Sequence, residues 1–157
     1  MKNDIVLLHG IFKSPFFDEL KKCVSKDVFV LEGRPSLEAS RTACRELLKR
    51  NIKPTIIADN MAGFLFKKNL VKEVWLSYQL KDDNGAVCTI GALILGVLAK
   101  KHGVPVYLYS AAKKTKLLGK QAEIFSFNGV KVAPSKISGY VPLVEWLPQK
   151  YITGIYG

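Results

Sequence analysis

Apolar positions in this chain fall into short unbroken runs. Between the runs lie longer stretches in which they recur every third or fourth residue. Residues 4–8 (Asp-Ile-Val-Leu-Leu) form one such run, ending at His9-Gly10, which is the pattern of a strand buried on both faces. Ser14-Pro15 reads as an N-cap followed by proline at the first helical position, with Phe16, Phe17, Leu20, Cys23 and Val24 at helical spacing behind it. Val28–Leu31 is a second strand, closed by Glu32-Gly33-Arg34-Pro35. Ser36 is the expected cap of a second helix with Leu37, Ala43, Cys44, Leu47 and Leu48 on its apolar face. Residues 54–58 make a third strand ending in Asp59-Asn60, and 61–68 a short helix. Residues 74–78 make a fourth strand, and Asp82-Asp83-Asn84-Gly85 a turn. Residues 90–101 are apolar nearly all round, so this helix is expected to be central and buried. Gly103 stops it, with His102 favourably placed in its last turn, and 104–109 is a fifth strand.

Strands apolar on both faces and joined by helices imply a parallel sheet with right-handed crossovers. The expected fold class is therefore α/β: a doubly wound, mostly parallel Rossmann-like sheet with helices on both faces and a less regular C-terminal extension. In that extension Asn128-Gly129 reads as a hairpin turn, Pro134, Pro142 and Pro148 punctuate the chain, and 151–156 is a candidate last strand. Neither an internal repeat nor a low-complexity linker is visible. A length of 157 residues fits one domain, 1–157.

Charge adds a second consideration, because the formal net charge is +11. Most lysines cluster near predicted helix ends, where cations oppose the helix dipole. Lys113, Lys114, Lys116 and Lys120 stand apart, as a solvated surface or as contacts to an anion or polyanion. No RNA-binding aromatic motif is interleaved with them. The three cysteines, an odd number without a Cys-x-x-Cys pair, read as reduced thiols and not as disulfides or a zinc site. The longest apolar stretch, 90–99, is cut by Lys100-Lys101, whereas a spanning helix needs about 20 residues. The N-terminus, with Asp4 at its head, does not read as a signal peptide. A cytoplasmic location, no membrane association, no metal and no cofactor are the corresponding expectations.

In an open parallel sheet, ligands bind beyond the carboxyl ends of the strands. Arg34 heads the candidates there: it precedes a helix N-terminus and offers a bidentate grip on phosphate, or else it pairs with Glu32 or Glu38. Asp59 either binds ribose hydroxyls or caps the next helix, and Asn60 suits either role. Asp82 and Asp83 are acid–base candidates or an ordinary turn. His9 is a candidate base or a hydrogen-bonded structural residue. Cys88 is a thiol lowered by a helix dipole or an inert core residue, and Cys23 and Cys44 are expected to face the core. Gly-x-Gly-x-x-Gly after the first strand, a phosphate loop, His-Glu-x-x-His and Gly-x-Ser-x-Gly are all missing.

Two long segments, GRPSLEASRTACRELLKRNIKPTIIADNMA from Gly33 and DNGAVCTIGALILGVLAKKHGVPVYL from Asp83, resemble the initiation factor 2B-related family. GVKVAP from Gly129 and VPLVEWLPQKYITGI from Val141 match it more weakly. That family includes the alpha, beta and delta subunits of translation initiation factor 2B, methylthioribose-1-phosphate isomerase and ribose-1,5-bisphosphate isomerase. DNMA resembles the methylthioribose-1-phosphate isomerase branch. The resemblance covers the family's C-terminal Rossmann-like domain, and the helical N-terminal domain has no counterpart in these residues.

By that resemblance, Gly10 stands where the isomerases carry a catalytic cysteine, and Gln79 where they carry a catalytic aspartate. Glu38 replaces a glutamine, Val87-Cys88-Thr89 lacks the family's Asn-Lys pair, and Val144-Glu145-Trp146-Leu147-Pro148 replaces Phe-Asp-x-Thr-Pro. Moving hydrogen between C1 and C2 of a sugar phosphate needs titratable groups, which Gly10 and Gln79 do not provide. Asp83 is a candidate substitute. The resemblance thus implies a noncatalytic or repurposed domain that binds a phosphorylated sugar or nucleotide, or a protein partner, as a homo-oligomer or with another chain. The candidate ligand residues are Gly33, Arg34, Ser36, Glu38, Asp59, Asn60 and Asn84. Alternatives are an active aldose-phosphate to ketose-phosphate isomerase with substituted residues, and a translation-associated or RNA-binding protein.

Overall fold

A computed structural model describes residues 4–23 and 27–157. Val24 and Lys26 lie outside the described residues. Five parallel strands and a short sixth make the main sheet: β1 (Ile5–His9), β2 (Val28–Leu31), β3 (Thr55–Ile57), β4 (Val71–Asp82), β6 (Val106–Ser110) and β10 (Gly154–Tyr156), in the order β10-β6-β4-β1-β2-β3. Two further strands, β5 (Gly85–Thr89) and β9 (Val144–Pro148), extend it through antiparallel pairing of β5 with β4 and of β9 with β5. The sheet is α/β, largely parallel and doubly wound.

Side chains alternate across the strands into two cores. Val6, Leu8, Val28, Val30 and Trp75 face helices α1 (Ser14–Cys23) and α2 (Glu38–Lys49), with Phe17, Leu20 and Leu47. Leu7, Leu31, Val74, Leu76 and Leu108 face α3 (Ala62–Lys67) and α4 (Ala92–His102), with Phe66, Leu95 and Ala99. A side chain at Gly96 would come within 2.8 Å of Leu147 and 3.0 Å of Tyr151, so glycine allows α4 to lie close to β9. Gly103 ends α4 in the left-handed conformation, as expected. Asn128 and Gly129, both at positive φ, turn the hairpin between β7 (Ser126–Phe127) and β8 (Val130–Lys131). A short helix, α5 (Ala122–Phe125), precedes it. Among the described residues no helix is long and apolar enough to cross a membrane.

Several expectations need correction. α4 is not buried all round: Ile94 is 65% exposed and Val97 is exposed with it, as are Met61 and Phe64 earlier in the chain. Ser36 does not occupy the N-cap, because Leu37 does so in a left-handed conformation, and the Ser36 hydroxyl accepts from the Glu38 amide at 3.3 Å. Leu37 therefore lies outside the helix, and Leu48 is exposed rather than part of the apolar face. Ser14 opens α1, but its hydroxyl donates to Glu46 of α2 at 2.8 Å. Cys23 is exposed, while Cys44 is partly buried. β4 is longer than the 74–78 predicted, and β5 and β9 were not predicted. Their apolar residues merge with neighbouring runs, and antiparallel pairing between distant segments leaves no local signature. The last strand is Gly154–Tyr156, because Gln149–Tyr151 forms a 3-10 turn.

Candidate functional site

The carboxyl ends of β1, β2 and β3 open on the α3–α4 face into a cleft of about 510 Å³. Its floor is apolar, from Leu31, Ala62, Leu95 and Leu98, and its polar groups are His9, Arg34, Asp59, Asn60 and Glu145. Parallel topology brings these together, since His9 ends β1, Arg34 follows β2, and Asp59 and Asn60 follow β3.

Asp59 opens a 3-10 turn after β3 but does not cap it. Its carboxylate instead accepts from the amides of the preceding β2 loop, Gly33 at 2.9 Å and Arg34 at 2.8 Å. Gly33 adopts φ +72, and a Cβ there would stand 2.9 Å from that of Ala39. The loop is thus pinned from both sides. The Arg34 guanidinium lies over the Phe127 ring at 4.6 Å and reaches the Ser126 carbonyl at 3.5 Å. Among the described residues no ion pair joins it to Glu32 or Glu38, and Glu38 pairs with Lys113 instead. Arg34 therefore retains donors for an anion.

Glu145, on β9, is a site residue that sequence reasoning missed. Its Oε1 accepts from the amides of Gly91 at 2.7 Å and Leu93 at 2.9 Å, filling the start of α4 where an external anion would otherwise be favoured. Its sequence signals are its place in the segment that stands for the family's Phe-Asp-x-Thr-Pro and a carboxylate in an apolar run, and its position depends on the β5–β9 pairing. His9 is buried, and its Nε2 donates to the Ile90 carbonyl at 2.7 Å. Nδ1 is buried without a hydrogen-bond partner among the described residues. Burial holds the imidazole below its ordinary pKa of 6.5, so the ring is neutral near pH 7. Burial likewise pushes the Cys88 thiol up to about 12.

The remaining candidates lie elsewhere. Ser36 and Glu38 flank the start of α2, outside the cleft lining. Asp82, Asp83 and Asn84 form the exposed tip of the β4–β5 hairpin, where the Asn84 amide donates to Asp82 at 2.7 Å. Gly10 adopts φ +130, and a Cβ there would lie 2.1 Å from the Ser77 hydroxyl oxygen. That oxygen accepts from the Ile11 amide at 2.9 Å. Gln79 binds Thr115 twice: its Oε1 accepts from the amide at 2.7 Å and its Nε2 donates to the carbonyl at 3.2 Å. Gln79 lines a separate notch of about 290 Å³ and not the cleft. Among the described residues no cluster of three or more His, Cys, Asp or Glu could hold a metal ion.

The initiation factor 2 subunit family model matches residues 3–156. Methylthioribose-1-phosphate isomerase of Carboxydothermus hydrogenoformans is 35% identical over 142 residues, covering 83% of this chain and 41% of that protein. The Thermus thermophilus enzyme of the same name is 32% identical over 142 residues, with 83% and 43% covered. Among solved structures, the delta subunit of translation initiation factor eIF-2B from A. fulgidus superposes with a TM-score of 0.83 at 22% identity, covering 98% of this chain and 52% of that one. The Pyrococcus horikoshii 5-methylthioribose 1-phosphate isomerase gives 0.82 at 23% identity, with 99% and 50% covered. At these identities the superpositions show the fold. The chain spans about two fifths of the length of these curated relatives.

Proposed function

The chain belongs to the initiation factor 2 subunit family, and on that premise we propose that it is a ligand-binding member without the isomerase acid–base pair. The ligand is a phosphorylated sugar held in the cleft between the β1–β3 ends and α4. Arg34 grips the phosphate, Asn60 meets sugar hydroxyls, and the apolar floor takes a nonpolar substituent. Phosphate recognition falls to Arg34 because the nearby backbone donors are already used: Asp59 holds those of the β2 loop and Glu145 those of α4.

The observation that supports the proposal is the state of Gly10 and Gln79, the positions that by resemblance stand where the family's isomerases carry their catalytic pair. Gly10 is packed so closely on Ser77 that a side chain there needs the strand to move. Gln79 has an amide that does not titrate and that is spent on Thr115. Aldose–ketose isomerisation requires one group to take a proton and another to give one, each supplying about 10²–10⁴ in rate. His9 does not replace them, because its free nitrogen is closed off inside the protein.

Calorimetric titration and proton NMR with methylthioribose-1-phosphate and ribose 5-phosphate test this. Binding without ketose product, lost in Arg34→Ala, is the expected result. Turnover by the purified chain, absence of binding at millimolar ligand, or unchanged binding in Arg34→Ala would overturn it.

A second reading, a protein-interaction domain, draws on the exposed apolar residues Met61, Phe64, Ile94 and Val97, of which Ile94 lines the cleft. Concentration-dependent association abolished by Ile94→Lys, together with no small-molecule binding, is the outcome that favours it.

A further inference from the structure

The loop that leaves β6 runs Ala111-Ala112-Lys113-Lys114-Thr115, and tethers at both ends fix it beyond the carboxyl ends of the strands. The Ala111 amide donates to the Tyr78 carbonyl at 2.7 Å, and the Ala112 amide to the Ile11 carbonyl at 2.9 Å. At the far end the Gln79 side chain holds both polar groups of the Thr115 backbone, at 2.7 and 3.2 Å. Between the tethers, Lys113 and Lys114 line the notch of about 290 Å³ together with Lys13, Tyr78 and Ser110. No residue of the notch also lines the cleft.

The tethers leave this notch rich in donors and poor in acceptors. The Tyr78, Ile11 and Thr115 carbonyls and Gln79 Oε1 are engaged by them. Among the described residues no carboxylate lines the notch. Glu38 pairs with Lys113, and Glu19, which shares a neighbouring concavity with Lys13, bonds to Lys22 at 2.9 Å. Lys13 and Lys114 have no ion pair among the described residues. Ser110 Oγ donates to Tyr78 Oη at 3.4 Å, which leaves the phenolic proton without an acceptor there, on a residue only 8% exposed. Two ammonium groups and a hydroxyl pair remain to meet a ligand.

We propose that the notch binds a small inorganic tetrahedral dianion, sulfate or hydrogenphosphate, between Lys13 and Lys114 with the Tyr78 hydroxyl as a further donor. The two unpaired positive charges match the charge of the ion, and hydrogen bonds to ionised oxygens are stronger than neutral ones. Gln79 is neutral, so it builds the loop without repelling the ion. The volume falls below the usual range for an organic ligand. A sugar phosphate is disfavoured as well, because its hydroxyl protons would be enclosed where the acceptors are already taken. The notch and the cleft thus separate inorganic ions from sugar phosphates.

Heteronuclear NMR on the Arg34→Ala chain, which lacks the phosphate grip of the cleft, resolves the site. Sodium sulfate and sodium phosphate, titrated against chloride at constant ionic strength, should shift the amides of residues 110–115 saturably. Ribose 5-phosphate should not. Binding of only one of the two ions would name the one the notch takes. Lys13→Gln and Lys114→Gln should each weaken the ion by roughly tenfold. Tyr78→Phe, which removes a single oxygen and keeps the ring, should weaken it several-fold. Lys116→Gln combined with Lys120→Gln lies outside the notch and should change nothing, which separates a built site from general attraction to a basic surface. Circular dichroism verifies the fold of each variant. No saturable shift at millimolar ion, a response that chloride reproduces, equal affinity for ribose 5-phosphate, or undiminished affinity in folded Lys114→Gln would overturn the site. None of these outcomes bears on the cleft, whose arginine is absent from the experiment.

Discussion

At Gly10 two constraints coincide: a φ of +130 that side-chain-bearing residues rarely adopt, and a Ser77 hydroxyl occupying the place of a Cβ. Gly10→Ala should lower stability by roughly 2–5 kcal/mol, combining backbone strain with overpacking. Urea denaturation of the two proteins measures it. Adding Ser77→Gly should restore only part of the loss, since it removes the clash and not the φ requirement. Full rescue would show that sterics alone hold this position. The residue types at the site were legible from their places after predicted strands, as Arg34, Asp59 and Asn60 illustrate. Their engagements were not. Asp59 caps the neighbouring loop and not its own turn, and Arg34 stacks on a ring 93 positions further along, because such partners depend on register between distant segments.

At the scale of elements, α1 and α2 are joined by a polar clamp over their shared core. Arg50 binds Asp18 at 2.7 Å and Glu46 at 2.8 Å, and Ser14 donates to Glu46 at 2.8 Å. Hydrogen bonds from Lys49, Ser14 and Arg50 hold the Glu46 carboxyl down to about 2, from an ordinary 4.5. A folded-state pKa below the unfolded one stabilises the fold above the unfolded value. That contribution disappears as pH falls through the folded value. The stability gap between the parent and Glu46→Gln should therefore be full above pH 4.5 and close as the pH approaches 2, as denaturant melts along a pH series would record. A gap independent of pH would mean that Glu46 acts through packing alone. Helix spacing made α1 and α2 visible in the sequence, and continuous apolar runs did the same for the parallel strands. β5 and β9 escaped because Ala86–Cys88 and Leu147 read equally well as flanks of their neighbours. With them went Glu145, whose role exists only once β9 lies against β5.

For the molecule as a whole, the doubly wound order follows from alternating apolar runs and helices, because right-handed crossovers leave few other arrangements. The sign of the net charge is equally plain in the sequence, but its distribution is not. Several lysines are neutralised locally: Lys22 by Glu19, Lys49 by Glu46, Lys72 by Glu73 and Lys113 by Glu38. Lys114, Lys116 and Lys120 share a shallow groove with Lys113. A cationic surface of this kind attracts polyanions through counterion release, which depends on phosphate number and not on base identity. The chain should accordingly bind oligouridine and oligoadenosine alike at low salt and lose both steeply as salt rises. Replacing Lys113, Lys114, Lys116 and Lys120 by glutamine should reduce the slope of log affinity against log salt by roughly three, given about 0.7 per single-strand phosphate. Fluorescence anisotropy across a salt series measures both. A base preference that survives physiological salt would instead require direct contacts to base edges, which surface lysines at the groove do not make. An unchanged slope in the fourfold variant would move the polyanion contact away from this groove altogether.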